Sequence, residues 1–271
     1  MELRQVGTVA GKEFWDRIRN RWVLAVALVF TVFALVIAYF GGAQQGTVGF
    51  RSIEFTIASL VSLVIYLIPL IALVLGFDAI VGERERGSLD LLLSMPITRF
   101  ELLLGKYLGL AAALAFSTIA GFGLVAVVLA AQLDINALFH YFGFMLSSVL
   151  LGMAFLSLAV MLSVFAADRT RASGLAIAMW FFFVLVFDLI LLGALVVTGG
   201  SYGGDIFPYL LLLNPADVFR ILNIFTLEDV RSLYGLATVF PRALAEPWLL
   251  GLVMFAWIAA PLGLAAWRFR K

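Results

Sequence analysis

The chain has 271 residues, 64% apolar and 13% charged, against about 45–50% and about 25% in a soluble domain. That composition excludes a soluble enzyme-like domain and points to a membrane protein. A net charge of +1, no cysteine and one histidine exclude a nucleic-acid-binding surface, a disulfide framework, a thiolate metal site and any site that needs two imidazoles.

In Met1 to Arg21, apolar Leu3, Val6, Ala10, Phe14 and Ile18 recur at spacings of three and four, with Lys12, Arg17, Arg19 and Arg21 among them. This predicts an amphipathic elbow helix at the bilayer surface, with Phe14, Trp15 and Trp22 as interface anchors. It is not the short basic region of a cleavable signal. Six stretches then reach the ~20 residues a bilayer span needs: Trp22–Phe40, Ile57–Phe77, Tyr107–Ala131, Phe142–Ala167, Gly174–Thr198 and Trp248–Trp267. None contains Lys or Arg. With the N-terminus inside, all Lys and Arg residues except Arg51, Arg220, Arg231 and Arg242 fall on the cytoplasmic side. The positive-inside rule therefore predicts cytoplasmic termini and an all-α, six-span domain covering residues 1–271.

The stretch Gly82 to Lys106 is the long charged insert between the second and third spans. Gly87 can end the incoming helix in the left-handed conformation. Ser88 can cap a short helix, Leu89 to Met95, which Pro96 stops. Thr98 and Glu101 form a capping box that starts the next helix. The short helix offers Leu89, Leu92 and Leu93 on one face, to be buried by headgroups, by the protein's own helix ends or by a second protein. On the third span, Gly105, Gly109, Ala113, Ser117 and Gly121 are four apart. Such a stripe admits a close helix, from the same subunit or from another.

Met145, Met153 and Met161 are eight apart on the fourth span. Thioethers favour soft metals, but packing is the expected role, and no metal site is expected. His140 reads as an interface residue. Asp78 sits at the inner end of the second span and suits a helix end. Asp188 is the one carboxylate well inside a span, with no cation in any span to pair with it. It reads either as a candidate pathway or gate residue or as a structural hydrogen-bonding group, protonated or held by hydroxyls. The outer segment Gly199 to Pro247 contains Ile206 to Leu213, apolar but too short to cross. Asn214 and Pro215 then restart a helix as its cap and first residue, continued by Val218, Ile221, Leu222 and Phe225. This predicts a re-entrant or interfacial lid followed by a polar arm, Thr226 to Pro247. Asn214, Pro215, Asp217 and Arg220 are its candidate contacts for a periplasmic partner. No phosphate-binding loop, zinc motif or nucleophile motif occurs, so no catalytic residue is assigned and the chain is not expected to be an enzyme.

Asp78–Ser88, Leu92–Arg99 and the pair Gly105-Lys106 together resemble the permease subunits of ABC-2 type transporters. The resemblance implies that Glu83, Arg84, Arg86, Gly87, Ser88, Leu89, Leu92, Leu93, Pro96 and Thr98 form the coupling region gripped by a separate ATPase. Glu13–Trp22, Phe187–Leu192 and Leu210–Asn223 are similar to the branch of this family that serves copper-centre maturation of nitrous oxide reductase. That similarity implies a bacterial inner-membrane homodimer, a NosF-like cytoplasmic ATPase dimer carrying ATP and Mg, and a NosD-like periplasmic protein. No cofactor is expected on this chain. The cargo it implies is a sulfur or copper-related species, or none if the motion acts mechanically on the periplasmic partner. The rival readings are an ABC-2 exporter of a drug, lipid or peptide, an ATPase-independent channel or transporter, and a scaffolding anchor.

Overall fold

The computed structural model of the chain describes residues 3–19, 21–40, 53–130, 135–197, 203–224, 244 and 246–270. Among the described residues there is helix and turn but no strand. The elements are α1 (Leu3–Arg19), α2 (Trp22–Phe40), α3 (Ile53–Gly76), α4 (Val81–Glu85), α5 (Ser88–Leu93), α6 (Arg99–Ala130) and α7 (Ile135–Phe165). They continue with α8 (Arg169–Phe181), a π-helical turn (Phe182–Val186), α9 (Phe187–Val197), α10 (Gly203–Leu211), α11 (Pro215–Ile224) and α12 (Pro247–Arg270).

Thr56–Glu85, Arg99–Val127, Leu138–Phe165, Arg169–Val197 and Pro247–Arg270 are each long and apolar enough to cross a membrane. The 19-residue helix α2 supplies the sixth expected span, reaching about 28 Å at 1.5 Å per residue. Helix α7 is the centre of the bundle. In its most apolar stretch 78% of residues are buried, against 22% in α8–α9 and 28% in α12. Those last two therefore turn long apolar faces outward. Arg99 Nη1 donates to the Phe269 carbonyl at 3.0 Å, so the chain's C-terminal helix ends beside α4, α5 and the start of α6. Helix α1 packs at the same end, here termed the basic end.

Helix α1 turns into α2 through a 63° bend, at which Arg21 holds a left-handed backbone (φ 56). The inner face of α1, with Val6 and Glu13 buried, lies along α6. A Cβ on Gly105 would stand 2.7 Å from Val9 Cβ, and one on Gly109 2.5 Å from the Ala10 carbonyl oxygen. A Cβ on Gly121 would stand 2.7 Å from Phe30 Cβ, in α2. The small-residue stripe thus receives the elbow and the first span of its own subunit, which resolves the two readings left open by the sequence. On the outer side of α1, Leu3 (78%) and Trp15 (66%) remain exposed, as an interfacial helix requires.

Helices α10 and α11 form a re-entrant hairpin. Trp257, near the middle of α12, donates its indole N–H to the Leu212 carbonyl at 3.1 Å. Asn214 donates to the carbonyl of Phe183, midway along the Arg169–Val197 span, at 2.8 Å. The turn between the two short helices therefore reaches the level of the bundle's middle, and α11 returns with nearly every residue buried. The predicted arm Thr226 to Pro247 and the basic residues Arg51, Arg231 and Arg242 lie largely or wholly outside the described residues. Met145 is buried in the core, and Met153 and Met161 pack against it.

At Gly109 an added methyl group meets a backbone atom first, the Ala10 carbonyl oxygen, rather than a yielding side chain. Gly109→Ala is expected to separate α1 from α6 and lower stability by about 1–3 kcal/mol. Thermal unfolding in detergent measures this, with Gly123→Ala, where an added Cβ meets nothing within 4 Å, as the neutral comparison.

Candidate functional site

The basic end is built around a two-helix stub. After α3 the chain turns through Phe77–Ile80, where Ser163 Oγ accepts from the N–H groups of Ile80 (2.9 Å) and Val81 (3.0 Å). Asp78, in the turn after α3, pairs with Arg169 at 3.0 Å, and Glu85 accepts from the Arg169 N–H at 2.8 Å. Arg84 donates to the Ala166 and Val164 carbonyls at 3.1 and 3.4 Å, satisfying the last carbonyls of α7. The stub is therefore fastened to the ends of α7 and α8 before it turns.

The turn is Gly87, at φ +70, a conformation that other residues adopt only with strain. Helix α5 then runs Ser88–Leu93 rather than the expected Leu89–Met95. Ser88 is not its cap. Its hydroxyl donates back to the Glu83 carboxylate, because the left-handed glycine already reverses the chain and brings Glu83 within reach. The capping box is present in both directions. The Glu101 carboxylate accepts from the Thr98 N–H (2.9 Å), and Thr98 Oγ1 accepts from the Glu101 N–H (3.2 Å).

Leu89 is buried and Leu92 and Leu93 pack against the core. The leucine face is thus covered by the protein's own helix ends, one of the three occupants the sequence allowed. The residues α5 turns outward are Asp90, Leu91 and, just beyond it, Ser94 and Met95. Leu91 is 67% exposed and Met95 50%.

Beneath the stub lies a buried charge cluster that sequence reading did not find. Lys106, from the second turn of α6, has a side chain only 6% exposed and lies 2.9 Å from Glu83 and 3.3 Å from Glu13. Arg17 completes the cluster at 3.3 Å from Glu13. Two carboxylates and two cations balance, and one ammonium joins the elbow, the stub and α6. The signal in the sequence was the pair of glutamates inside otherwise basic stretches, but nothing local links residues 13, 83 and 106.

Towards the other end, Asp188 has a partner after all. Arg220, from α11 and not from a span, lies 3.2 Å from Asp188 and also pairs with Asp217. Asn214 Oδ1 accepts from the Ala216 N–H at 3.0 Å, the expected cap, while its amide holds the Phe183 carbonyl in the π-helical turn and Asp217 at 2.9 Å. Asn223 and Ser147 bond to each other at 3.0–3.1 Å. Asn214 and Asp217 are each 1% exposed and Pro215 is buried. These three do not offer the surface expected for a periplasmic partner, since their polar groups serve the hairpin's own insertion. Arg220 is half-buried. Asp188 is half-exposed on the apolar face of α9.

Residues 7–271 match the ABC-2 family transporter protein family. The chain is 45% identical over 273 residues to the probable ABC transporter permease protein NosY of Stutzerimonas stutzeri, covering 99% of both chains. It is also 45% identical over 272 residues to the protein of that name from Pseudomonas aeruginosa, covering 98% of both.

Removing one member of a buried ion cluster leaves the others uncompensated, at a cost of about 3–5 kcal/mol. Lys106→Met is expected to lower the thermal unfolding temperature sharply, because Glu13 and Glu83 would then face each other. Adding Glu13→Gln and Glu83→Gln to the same chain is expected to recover most of the loss. A triple variant no more stable than the single one would show that the cluster does not act as a unit.

Proposed function

The chain belongs to the ABC-2 transporter family as a permease subunit, and from that premise we propose that its stub, residues Glu83 to Thr98, is the element through which a separate ATPase drives it. The observation that carries this is the fastening of the stub at every side. Gly87 and the Thr98–Glu101 box fix its two turns, and Lys106 ties it to α1 and α6. Arg84, Asp78 and Glu85 tie it to α7 and α8. A push on α5 therefore has no slack to absorb it and displaces helix ends. The contact surface offered to the ATPase is Leu91 and Met95, with Asp90 beside them, rather than the inward-facing Leu89, Leu92 and Leu93.

In this reading ATP and Mg are bound by a NosF-like ATPase dimer, and this chain binds no cofactor. The long outward apolar faces of α8–α9 and α12 support a homodimer in lipid, with Asp188 and Arg220 as polar groups facing the pathway between subunits. The basic end lies in the cytoplasm of a bacterial inner membrane, with both termini. A NosD-like protein engages the opposite face. The task is export of a sulfur-containing species, or mechanical work on that periplasmic partner, in maturation of the copper centres of nitrous oxide reductase. A bare copper ion fits less well. It would favour thiolates, imidazoles or converging thioethers, whereas the methionines of α7 contribute to the core.

Leu91→Asp combined with Met95→Asp places two charges on the exposed face of α5 without touching the core. The ATPase is expected to be lost from the purified complex while the permease keeps its thermal unfolding temperature. Retention of a fully active complex would rule out α5 as the docking element. Sulfur and copper analysis of nitrous oxide reductase matured with an ATPase-dead partner separates cargo export from mechanical work.

A further inference from the structure

A cavity of about 470 Å³ opens at the basic end between α5, the end of α7 and the end of α12. Three arginines line it, Arg84, Arg99 and Arg268, against one acidic residue, Asp90. Arg84 and Arg99 are oriented by the terminal carbonyls of α7 and α12. Each guanidinium has five N–H donors, so both keep donors beyond those two and one contacts respectively. Arg268 is exposed, and among the described residues neither it nor Asp90 forms an ion pair. Three cationic residues against one acidic residue leave this wall with an excess of positive charge, which favours an anion there.

We propose that this cleft binds the phosphate of an anionic phospholipid. Guanidinium forks match phosphate oxygens bidentately, and basic pockets between spans are suited to anionic headgroups. The rest of the wall distinguishes a lipid from an acidic peptide. Beside the guanidiniums it is apolar, with Leu93, Val164 and Phe165, and Phe165 is 49% exposed. The cavity also lies where α7 and α12 end, next to Trp267, which is 57% exposed, and Arg270, residues that mark an interface. A phosphate joined to acyl chains meets both halves of this wall. A carboxylate on a polar chain meets only one. The lipid would then fill the space behind α5 and brace the stub from the membrane side.

The test uses the full chain alone in neutral detergent, without any ATPase, so it succeeds or fails apart from the coupling role proposed above. Binding of phosphatidylglycerol and of phosphatidylcholine is followed by native mass spectrometry. Phosphatidylglycerol is expected to bind preferentially. Arg268→Gln, an exposed substitution that leaves both helix ends satisfied, is expected to weaken it about fivefold, the effect of one cation at a membrane surface. Arg171→Gln, which removes the same charge away from the cleft, is expected to leave binding unchanged. Equal binding of the two lipids, or equal losses in the two variants, would overturn the proposal. So would displacement by inorganic phosphate as effective as by lipid, which would make this a free-phosphate site.

Discussion

The ammonium of Lys106 is the constraint on which the basic end depends. A charge taken out of water costs several kcal/mol even after the protein relaxes, so a side chain only 6% exposed persists only where carboxylates surround it. Glu13 and Glu83 come from segments that share no hydrogen-bonded ladder and no long packed interface of their own. Each is held because each answers the same cation. The elbow cannot roll along α6 without pulling Glu13 away, and the stub cannot lift without withdrawing Glu83. The close approach at Gly105 and Gly109 is the steric half of this arrangement. Without it α1 would stand too far out for Glu13 to reach.

The two polar clusters differ in kind. The cluster at Lys106 is nearly dry and joins the elbow, the stub and α6. The one at Arg220 is half-exposed, with side chains of Asp188 and Arg220 at 37% and 31%, and its members come from a span and from a hairpin inserted beside it. A π-helical turn, Phe182–Val186, lies just before Asp188 in that span. Its extra residue changes which carbonyls are engaged along the span, and Asn214 accepts the task of bonding Phe183 there. Membrane interiors tolerate irregular backbone only where other protein groups satisfy it. The Asn-Pro turn at the hairpin's deepest point and the π-turn beside it satisfy each other.

Much of this was legible in the chain because its causes are local. Apolar runs give the spans, glycine and proline give the turns of the stub, and Thr98 with Glu101 writes its own capping box. Asn214 before Pro215 gives the start of α11. What could not be read were pairings set by three-dimensional proximity. Lys106 looks like the basic residue of a helix entering the membrane until α1 is laid across α6. Asp188 looks unpaired because its cation was counted as part of an outer loop, and only a hairpin that dives back inward brings Arg220 to it. The same dive buries Asn214 and Asp217, which a surface-lying lid would have left for a partner. Ser88 failed as a cap for a smaller reason: Gly87 takes the cap position, so Ser88 is already the first helical residue, and its hydroxyl donates five residues back to Glu83.

The orientation of α5 follows from its leucine packing and determines which of its atoms face outward. With six residues the helix makes fewer than two turns, so it has only an inner and an outer side. Burying Leu89, Leu92 and Leu93 inward leaves Asp90 and Leu91 outward without further choice, and the chain leaving toward Pro96 adds Met95 to the same side. A short helix gains little stability from its own hydrogen bonds, so its direction is set by what it packs on. Here that support is the protein's own helix ends. The stub is therefore formed by the chain's own packing, and a protein docking there would not have to order it at the cost of binding energy.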